Sequence, residues 1–387
     1  MIKPAIVVVG YNRPDSIIRL LESINRATFP FEDIPLIVSI DECKLSNDVE
    51  EAAKSVPWIH GSKIIRRFQQ RQGLKNHILL CGDLSYEYGA VIILEDDLMV
   101  SPSFYQFSYE ACNFYNNDCA IAGVSLYSHM WNAYSGTRFI PSCDGCDVFL
   151  GQFSITWGEC WTKKQWKSFR LWIEENEQKS LSRADVPPSI NNWGEQSWGR
   201  LFVYYIVEKD IFYVVPHISM TTNFSDLGEH CSKTDTSHQV RLLRDYKKDY
   251  SFKKSELLVK YDLFFERVLD DYNVSGISGK EICVNLNCTK NSTFSRRYLL
   301  SPLKLKYDVV DSFGLSVRPI DENITLNIKG NDIFLYDCKN QNNKIPQKNT
   351  RKRIDYDLFG YRWNDLLFVG VARFLKAIKE RIGKKHR

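Results

Sequence analysis

Short β-branched runs alternate with amphipathic segments along the first third of the chain, and this alternation limits the folds available to it. Ala5 to Val9, Leu36 to Ile40 and Ala90 to Leu94 are apolar runs of the kind found in strands buried on both faces. Between the first two, residues 14 to 24 carry Ile and Leu at helical spacing behind a proline suited to a first helical turn. Strands separated by helices predict an α/β domain with a mainly parallel sheet.

Further elements continue the pattern. We predict helices over residues 47–55, 73–84 and 102–115, and strands over 63–68 and 120–124. In such a sheet, loops that follow the carboxyl ends of the strands line the ligand crevice. Polar residues directly after these strands are therefore the first candidates for a functional site.

The remainder of the 387 residues is too long for the same domain, so we expect an accessory region. The predicted organisation is a main domain over 1–250, a smaller C-terminal α+β accessory region over 251–338, a linker over 339–353 and a basic amphipathic helix over 354–387. Within the accessory region we predict a helix over 257–269 and strands over 281–284, 324–328 and 332–336.

Charge is concentrated at the C-terminus. The last fifteen residues hold seven Lys or Arg against Glu380, a charge of +6, whereas the whole chain carries +4, so the rest carries −2. A body this close to neutral argues against nucleic acid as a partner. The basic amphipathic helix fits either peripheral contact with an anionic membrane or docking on the protein with a solvated basic face.

The expected location is the cytoplasm, with peripheral attachment to the inner face of the cell membrane as an option. No apolar run approaches the ~20 residues of a membrane-crossing helix, and the N-terminus lacks a charged and then apolar signal segment. The eleven cysteines, an odd number, are expected to be reduced thiols. Cys143 and Cys146 have half of a zinc-site spacing, but a loop with buried thiols is the favoured interpretation.

Three consecutive acids, Glu95, Asp96 and Asp97, directly follow the third buried run. Carboxylates crowded at the end of a buried strand repel one another, so a compensating positive charge is expected there. Mg²⁺ or Mn²⁺ would supply it, bound through one or two carboxylates with substrate phosphate completing the coordination. Arg13 and Asp41 follow the first two strands and could bind phosphate and a base or ribose, with a solvated loop charge and a helix cap as alternatives.

Several motifs resemble those of GT-A nucleotide-sugar glycosyltransferases, in particular the N-acetylglucosaminyltransferase I-like group and bacterial family 2 enzymes. The resemblance covers about residues 3 to 235 and is carried by Val38-Ser-Ile-Asp41, Gly73-Leu-Lys-Asn-His77, Ile93-Leu-Glu-Asp-Asp-Leu98, Ser101-Pro-Ser-Phe104 and the Trp-rich stretch that follows. It implies a GT-A, Rossmann-like fold and a UDP-sugar donor.

The resemblance also implies roles for individual residues. Asp97 is expected to bind the Mn²⁺ or Mg²⁺ that bridges the donor diphosphate, with Glu95 beside it in the donor site. Asp96 is expected to contact the donor sugar or ribose, and Asp41 and His77 the uracil. Arg13 matches an arginine that the family has after its first strand. Neither a Gly-x-Gly-x-x-Gly nor a Gly-x4-Gly-Lys-Ser/Thr phosphate loop is present, so the donor must be held by other groups.

A transfer with inversion, which the resemblance implies, needs a base that deprotonates the acceptor hydroxyl. Glu195 is the first candidate for the base, although the family pattern has adjacent acids at this point and here Gly194 and Gln196 flank a single one. Asp226 is a rival, and so is His230, which could instead be a metal ligand. The alternative is that Glu195 caps its own helix or pairs with a neighbouring arginine.

Six of the nine tryptophans lie between residues 157 and 198. Aromatic faces pack against sugar rings, so an acceptor cleft is one use for them, although core packing is the more frequent role. Trp157 and Trp193 are the favoured ligand contacts because a glycine follows each.

Together these features predict a metal-dependent glycosyltransferase that moves a sugar from a UDP-sugar to a glycan or lipid-linked glycan in bacterial surface polysaccharide synthesis. A sugar-phosphate nucleotidyltransferase also uses an α/β sheet and Mg²⁺, but its Gly-rich first loop is missing here. The third option is a carbohydrate-binding protein without catalytic activity.

Overall fold

A computed structural model describes residues 1–153, 155–176, 182–228, 238–293, 295–346, 350–358 and 362–383. The strands are β1 (Ala5–Gly10), β2 (Leu36–Ile40), β3 (Lys63–Arg67), β4 (Ala90–Glu95), β5 (Leu98–Val100), β6 (Ile121–Ser125), β7 (Val148–Gly151), β8 (Glu159–Thr162), β9 (Phe212–Pro216), β10 (Thr221–Asn223), β11 (Lys260–Tyr261), β12 (Asn273–Val274), β13 (Ile277–Ser278), β14 (Ile282–Val284), β15 (Tyr298–Ser301), β16 (Tyr307–Phe313) and β17 (Ile333–Gln341). The helices are α1 (Pro14–Asn25), α2 (Ser46–Ser55), α3 (Gly73–Gly82), α4 (Ser85–Tyr88), α5 (Phe104–Tyr115), α6 (Lys163–Asn176), α7 (Pro188–Asn191), α8 (Trp198–Glu208), α9 (Glu322–Thr325), α10 (Thr350–Leu358) and α11 (Trp363–Gly383).

The main structural unit is a nine-stranded sheet with the order β11-β7-β9-β6-β8-β4-β1-β2-β3. Five of its eight neighbouring pairs are parallel, and the exceptions are β8 against β4 and β6, and β7 against β9. The predicted mainly parallel α/β fold is thus confirmed. Strands β2, β1 and β4 are adjacent and parallel, so their carboxyl ends open at one edge.

Apolar side chains on both faces of the sheet hold the helices in place. Helix α1 begins with Pro14 and buries Ile17, Leu20, Leu21 and Ile24 against one face. Burying each such side chain contributes about 1.5 to 3 kcal/mol. On the other face, four of the six clustered tryptophans are almost fully buried: Trp161, Trp166, Trp172 and Trp198. Core packing is therefore the role of most of the Trp-rich stretch.

A small two-stranded sheet links the acidic motif to a distant part of the chain. Strand β5 directly follows the acidic motif and pairs antiparallel with β10. As the chain leaves β10, the backbone N–H of Phe224 donates to the carbonyl of Asp97 at 2.9 Å. This pairing brings residues 224–228 to the edge where β1 and β4 end.

The C-terminal region contains a four-stranded sheet in the order β14-β15-β17-β16 and the short helix α9. The predicted strands at 281–284 and 332–336 correspond to β14 and β17 and are confirmed. The segment predicted to be a linker at 339–353 is shorter, because β17 continues to Gln341 in pairing with β16 and α10 begins at Thr350. The main sheet also extends past residue 250, since β11 belongs to it.

Two predicted elements of this region are wrong. Residues 257–269, predicted to be helical, form a 3₁₀ turn, β11 and a tight turn in which the carboxylate of Asp262 accepts the backbone N–H groups of Phe264 and Glu266. The apolar residues of this segment fill the interior next to β7 instead of one helical face. The predicted strand at 324–328 is instead the end of α9 and the turn that follows it. Within α9, the Asn323 side chain accepts the backbone N–H groups of Ser316 and Val317.

Among the described helices, none combines the length and the apolarity that crossing a bilayer requires.

Candidate functional site

The carboxyl ends of β1, β2 and β4 surround a cavity of about 150 Å³. Its lining includes six residues that the sequence singled out: Arg13, Asp41, His77, Glu95, Asp96 and Asp97. They meet because parallel strands place their following loops at the same edge of the sheet. The structure therefore brings these side chains together, and their individual roles stay predictions.

Arg13 supplies the compensating positive charge that the acidic motif was expected to need. Its Nη1 donates to Asp97 Oδ2 at 3.1 Å, and its Nη2 contacts Asp96 Oδ1. Burial acts to lower the pKa of Arg13, but the two carboxylates outweigh it and the pKa is raised. One guanidinium is thus shared by two carboxylates, with Glu95 as a third acid beside them.

Two carboxylate oxygens at this edge lie buried without a hydrogen-bond partner, namely Asp96 Oδ2 and Asp97 Oδ1. Burial raises the pKa of Asp96 to about 6, although Arg13 opposes the shift. Burial, followed by the charges of Asp97 and Asp96, raises the pKa of Glu95 well above its ordinary value. Buried carboxylate oxygens with open lone pairs suit a hard divalent cation.

Over the part of the chain that the structure describes, no group of three or more His, Cys, Asp and Glu side chains could hold a metal ion. Among the described residues, Asp96 and Asp97 could bind a cation at this edge, and water and phosphate could complete its coordination. Mg²⁺ sites that act on phosphate substrates commonly have this composition. Cys143 is exposed and Cys146 is buried, and both are free thiols.

Asp41 is buried at the end of β2 and organises the start of α3. One carboxylate oxygen accepts the backbone N–H groups of Glu42 and Gln72 at 2.9 and 2.7 Å, and the other accepts that of Gly73 at 2.9 Å. The cap interpretation of Asp41 therefore holds, and it fixes the loop that borders the cavity. Three of about four lone-pair positions on the carboxylate are occupied, which leaves one for a ligand.

His77 lies on α3 and is buried at the wall of the cavity. Its Nε2 is 2.8 Å from Ser39 Oγ, which also accepts hydrogen bonds from Nε and Nη2 of Arg66 at 3.2 and 3.0 Å. Because Arg66 can only donate, the Ser39 hydroxyl is free to donate to His77. Burial lowers the pKa of His77 to about 4, so the ring is neutral at pH 7. Donation by Ser39 to Nε2 would place the ring proton on Nδ1.

Asp226 lies beside Arg13 but is committed to an ion pair. Its carboxylate contacts Arg19 and accepts the Ser16 hydroxyl at 2.7 Å, while its backbone carbonyl accepts Nη1 of Arg13 at 3.3 Å. Partial burial would raise the pKa of Asp226, but the hydrogen bonds from Arg19 and Ser16 outweigh it and the pKa is lowered. A carboxylate held in this way is a weak base, and its contacts favour a role in positioning Arg13.

Arg19 is itself held in place. Its guanidinium lies 4.0 Å from the ring centroid of Phe224, which is at the start of the same segment as Asp226. Residues 224–226 are therefore fastened to α1 by an ion pair, a hydroxyl contact and a cation–π contact. We call the contacts among Ser16, Arg19, Phe224 and Asp226 the α1 latch.

Glu195 is exposed in the turn before α8 and does not line the cavity. The alternative that it caps its own helix is wrong, because the N-cap is Ser197, whose hydroxyl accepts the N–H of Arg200 at 3.2 Å. His230, the other candidate, lies outside the described residues.

One cavity residue, and one buried acid that interacts electrostatically with Glu95, escaped the sequence analysis. Arg71 lines the cavity, with its guanidinium 5.3 Å from the ring centroid of Tyr11. Arg71 lies in the loop between β3 and α3, which follows the carboxyl end of a parallel strand as Asp41 does, and this signal could have found it. Glu159 begins β8, is 2% exposed and has Oε1 unpartnered. Burial and then the charge of Glu95 raise its pKa well above the ordinary value.

Trp157 and Trp193 are the two residues of the Trp-rich stretch that keep substantial exposure. Trp193 is 36% exposed, and Trp157 is half-buried against Tyr127 and His238, at 4.7 and 4.6 Å between ring centroids. They are the two that the sequence favoured for ligand contact, and that contact stays a prediction.

No protein-family model and no curated protein matches this chain. Among solved structures, it is similar to S. aureus TarS 1-349 in complex with UDP-GlcNAc, with 11% identity and a TM-score of 0.37 over 60% of this chain and 61% of that one. It is also similar to mouse xyloside xylosyltransferase 1 in its apo form, with 13% identity and a TM-score of 0.36 over 55% and 84% of the two chains. The glycosyltransferase GlyE of Streptococcus pneumoniae gives 14% identity and a TM-score of 0.32 over 55% and 45%. Similarities of this size do not assign an activity, so the functional assignment rests on the cavity itself.

Proposed function

We propose that this chain is a GT-A-type glycosyltransferase that takes a sugar from a nucleotide-diphosphate donor, with a UDP-sugar as the favoured donor. The observation that carries the proposal is the cavity edge at which Arg13 shares its guanidinium between Asp96 and Asp97, and each carboxylate keeps one buried, unpartnered oxygen. Such an edge offers both a positive and a negative partner to a metal-bound diphosphate.

The opposite wall of the cavity suits a pyrimidine base. A uracil ring presents an N–H donor between two carbonyl acceptors. Asp41 keeps an acceptor position, and the neutral ring of His77 would present an Nδ1–H donor when Ser39 donates to Nε2. Arg13 and Arg71 line the space between this wall and the acidic motif, where the two phosphates would lie.

The acidic edge fits a bound divalent cation. Asp97 Oδ1 and Asp96 Oδ2 would hold Mn²⁺ or Mg²⁺, because they are the buried carboxylate oxygens there without partners. When bound, the cation would neutralise the negative charge that develops on the departing diphosphate. Arg13 would act on the same charge, since it can exchange a carboxylate for a phosphate oxygen with similar geometry.

In the proposed reaction, an acceptor hydroxyl oxygen forms a bond to the anomeric carbon of the donor sugar, and the bond from that carbon to the β-phosphate oxygen breaks. The nucleoside diphosphate leaves with the bonding electrons, and a base takes the hydroxyl proton. Glu195 is the proposed base, because Asp226 is held in the α1 latch. With a single displacement, the configuration at the anomeric carbon is inverted.

The proposed acceptor is a glycan or lipid-linked glycan of a bacterial surface polysaccharide. Trp157 and Trp193 are the proposed acceptor contacts, because they are the two tryptophans that are not fully buried in the stretch that also carries Glu195. Sugar rings pack their C–H faces on such indole surfaces while polar groups bind the hydroxyls.

A donor panel tests the assignment directly. The purified chain is heated with UDP-, GDP- and dTDP-sugars, with and without Mn²⁺, and UDP release is then assayed. We expect UDP-sugars with Mn²⁺ to raise the melting temperature, since a ligand at about 100 times its Kd stabilises the folded state by about 2.7 kcal/mol. Slow release of UDP to water should accompany this stabilisation.

Each alternative predicts a different result in the same assay. A carbohydrate-binding protein would release no UDP, and a sugar-phosphate nucleotidyltransferase would instead release pyrophosphate from a nucleoside triphosphate and a sugar phosphate. Stabilisation that is equal with and without Mn²⁺ would contradict the metal, and no stabilisation by any nucleotide sugar would contradict the proposal as a whole.

A further inference from the structure

Helix α11 exposes large apolar side chains over its first thirteen residues. Contiguous exposed apolar surface of this extent indicates an interaction site. On α11, the apolar side chains that are between 45% and 76% exposed are those of Trp363, Leu367, Phe368, Val369, Val371, Phe374 and Leu375. These side chains are therefore available to a partner.

The spacing of residues along the helix places several of its large apolar residues on one face. At 100° per residue, Trp363, Leu367, Val371 and Phe374 fall within one face, and the sequence continues this spacing with isoleucine to the end of the helix. Asp365 falls on the opposite face. A tryptophan at one end of an apolar face is typical of helices that lie at a membrane surface.

Charge identifies the kind of surface. Over residues 373–387 the sequence holds seven Lys or Arg against one Glu. A second copy of the helix would bring two sets of positive charges together, whereas an anionic lipid surface complements them at about 1 kcal/mol for each basic residue near it. We propose that α11 lies in the headgroup layer of an anionic lipid bilayer, with its apolar face inserted.

Helix α10 connects this membrane helix to the folded body. The hydroxyl of Tyr356 donates to the carbonyl of Val317 at 2.9 Å, and Lys352 pairs with Asp332 at 2.8 Å, so α10 is docked beside the four-stranded sheet. Only four residues, 359–362, separate α10 from α11. Four residues span at most about 14 Å, so membrane binding would keep the body close to the lipid surface.

Vesicle flotation of the full chain tests the proposal. The vesicles contain either phosphatidylcholine alone or phosphatidylcholine with about one phosphatidylglycerol in four lipids, at roughly 0.05 M and 0.5 M NaCl. We expect at least about tenfold stronger binding to the anionic vesicles, most of it lost at high salt. Leu367→Glu combined with Phe374→Glu should weaken this binding at least about tenfold, because both charges would enter the lipid.

The matched control combines Leu257→Glu with Leu326→Glu, since both leucines are exposed on the body. This variant should bind as the wild type does. Equal binding to both vesicle types, or equal loss in the two double variants, would overturn the proposal. So would a dimer in sedimentation equilibrium that Leu367→Glu with Phe374→Glu dissociates, because α11 would then bind a second copy. Mn²⁺-dependent UDP affinity is measured on the same samples. It tests the donor assignment independently of membrane binding, so failure of one proposal can be distinguished from failure of the other.

Discussion

In two buried clusters of this protein an arginine pairs with aspartate. The clusters differ in whether the carboxylate oxygens have hydrogen-bond partners. At the cavity, Arg13 is shared by Asp96 and Asp97, and each carboxylate keeps one oxygen without a partner. At the joint between the main sheet and the C-terminal region, Asp321 Oδ2 alone accepts three hydrogen bonds. The donors are Ser142 at 2.9 Å, Tyr261 at 3.1 Å and Arg267 at 3.2 Å.

The difference separates a site from a structural joint. An unsatisfied buried carboxylate raises the free energy of the folded protein, so it persists where a ligand completes it. A carboxylate with three donors needs nothing more and holds two parts of the molecule together. Arginine and aspartate alone therefore do not indicate function, whereas their open hydrogen-bonding positions do.

The joint can be broken by Asp321→Ala, for which we expect the largest effect. Removing Asp321 leaves buried Arg267 with only the longer contact to Glu322 at 4.0 Å, and the loss of one partner of a buried ion pair costs about 3 to 5 kcal/mol of stability. The urea midpoint should fall accordingly, while the UDP affinity of the folded fraction stays unchanged. Asp271→Ala is the control, because Asp271 is 72% exposed and lies 3.9 Å from Lys260. Equal losses in the two variants would contradict the structural role.

The site is broken by Asp97→Asn, which removes the charge at the edge but keeps the shape. We expect Mn²⁺-dependent UDP binding to weaken at least about 100-fold, which corresponds to about 2.7 kcal/mol, with little change in melting temperature. Isothermal titration calorimetry with Mn²⁺ measures the change, and Asp271→Asn serves as the control. Wild-type affinity in the Asp97 variant would reject the metal role.

Glu195→Gln separates donor binding from turnover, because Glu195 does not line the donor cavity. If Glu195 is the base, donor affinity should be unchanged and turnover should fall by ~100-fold or more. Initial rates at saturating donor and acceptor measure this, with Glu256→Gln at another exposed turn as the control. Wild-type turnover would move the role to Asp226 or His230.

The joint should also respond to pH through Glu266, which is buried near Lys290 and Asp262. Burial raises the pKa of Glu266 from 4.5 to about 7, so the folded state holds its proton more tightly than the unfolded state. Stability should therefore fall as pH rises from about 4.5 to about 7, by no more than about 1.4 kcal/mol per pH unit. The urea midpoint of Glu266→Gln should lack this component. If the midpoint of the wild type, relative to that of the variant, rises with pH, the interpretation is wrong.

The smallest expected effect concerns the α1 latch. Arg19→Met should loosen the segment whose carbonyl holds Arg13, and we expect kcat/KM to fall roughly tenfold without loss of the fold. Arg19→Lys should retain part of the activity that Arg19→Met loses, because lysine keeps a positive charge beside the carboxylate of Asp226. Arg26→Met at the C-cap of the same helix is the control, since the Arg26 side chain is 62% exposed. Loss of activity in the Arg26 variant as well would indicate a general effect on α1.

Local patterns predicted the first half well because they act over a few residues. The strand at Leu36–Ile40 has its predicted bounds, and the strands at Ala5 and Ala90 differ by one residue. The local pattern that predicted a helix over residues 257–269 was misleading, because apolar residues at helical spacing can also fill the core from a turn. The rule that parallel strands open at one edge then placed six candidate residues in one cavity.

The sequence by itself determined the alternation of strands and helices, the acidic end of β4 and the charge of the C-terminal helix, since these depend on neighbours in the chain. Only the tertiary structure decided that Arg13 forms ion pairs with Asp96 and Asp97, and that Arg19 forms an ion pair with Asp226. The partners in these pairs lie 83, 84 and 207 positions apart. Contacts at such separations follow from how the sheet is assembled, because the pairing of β5 with β10 brings residues 224–228 to the cavity.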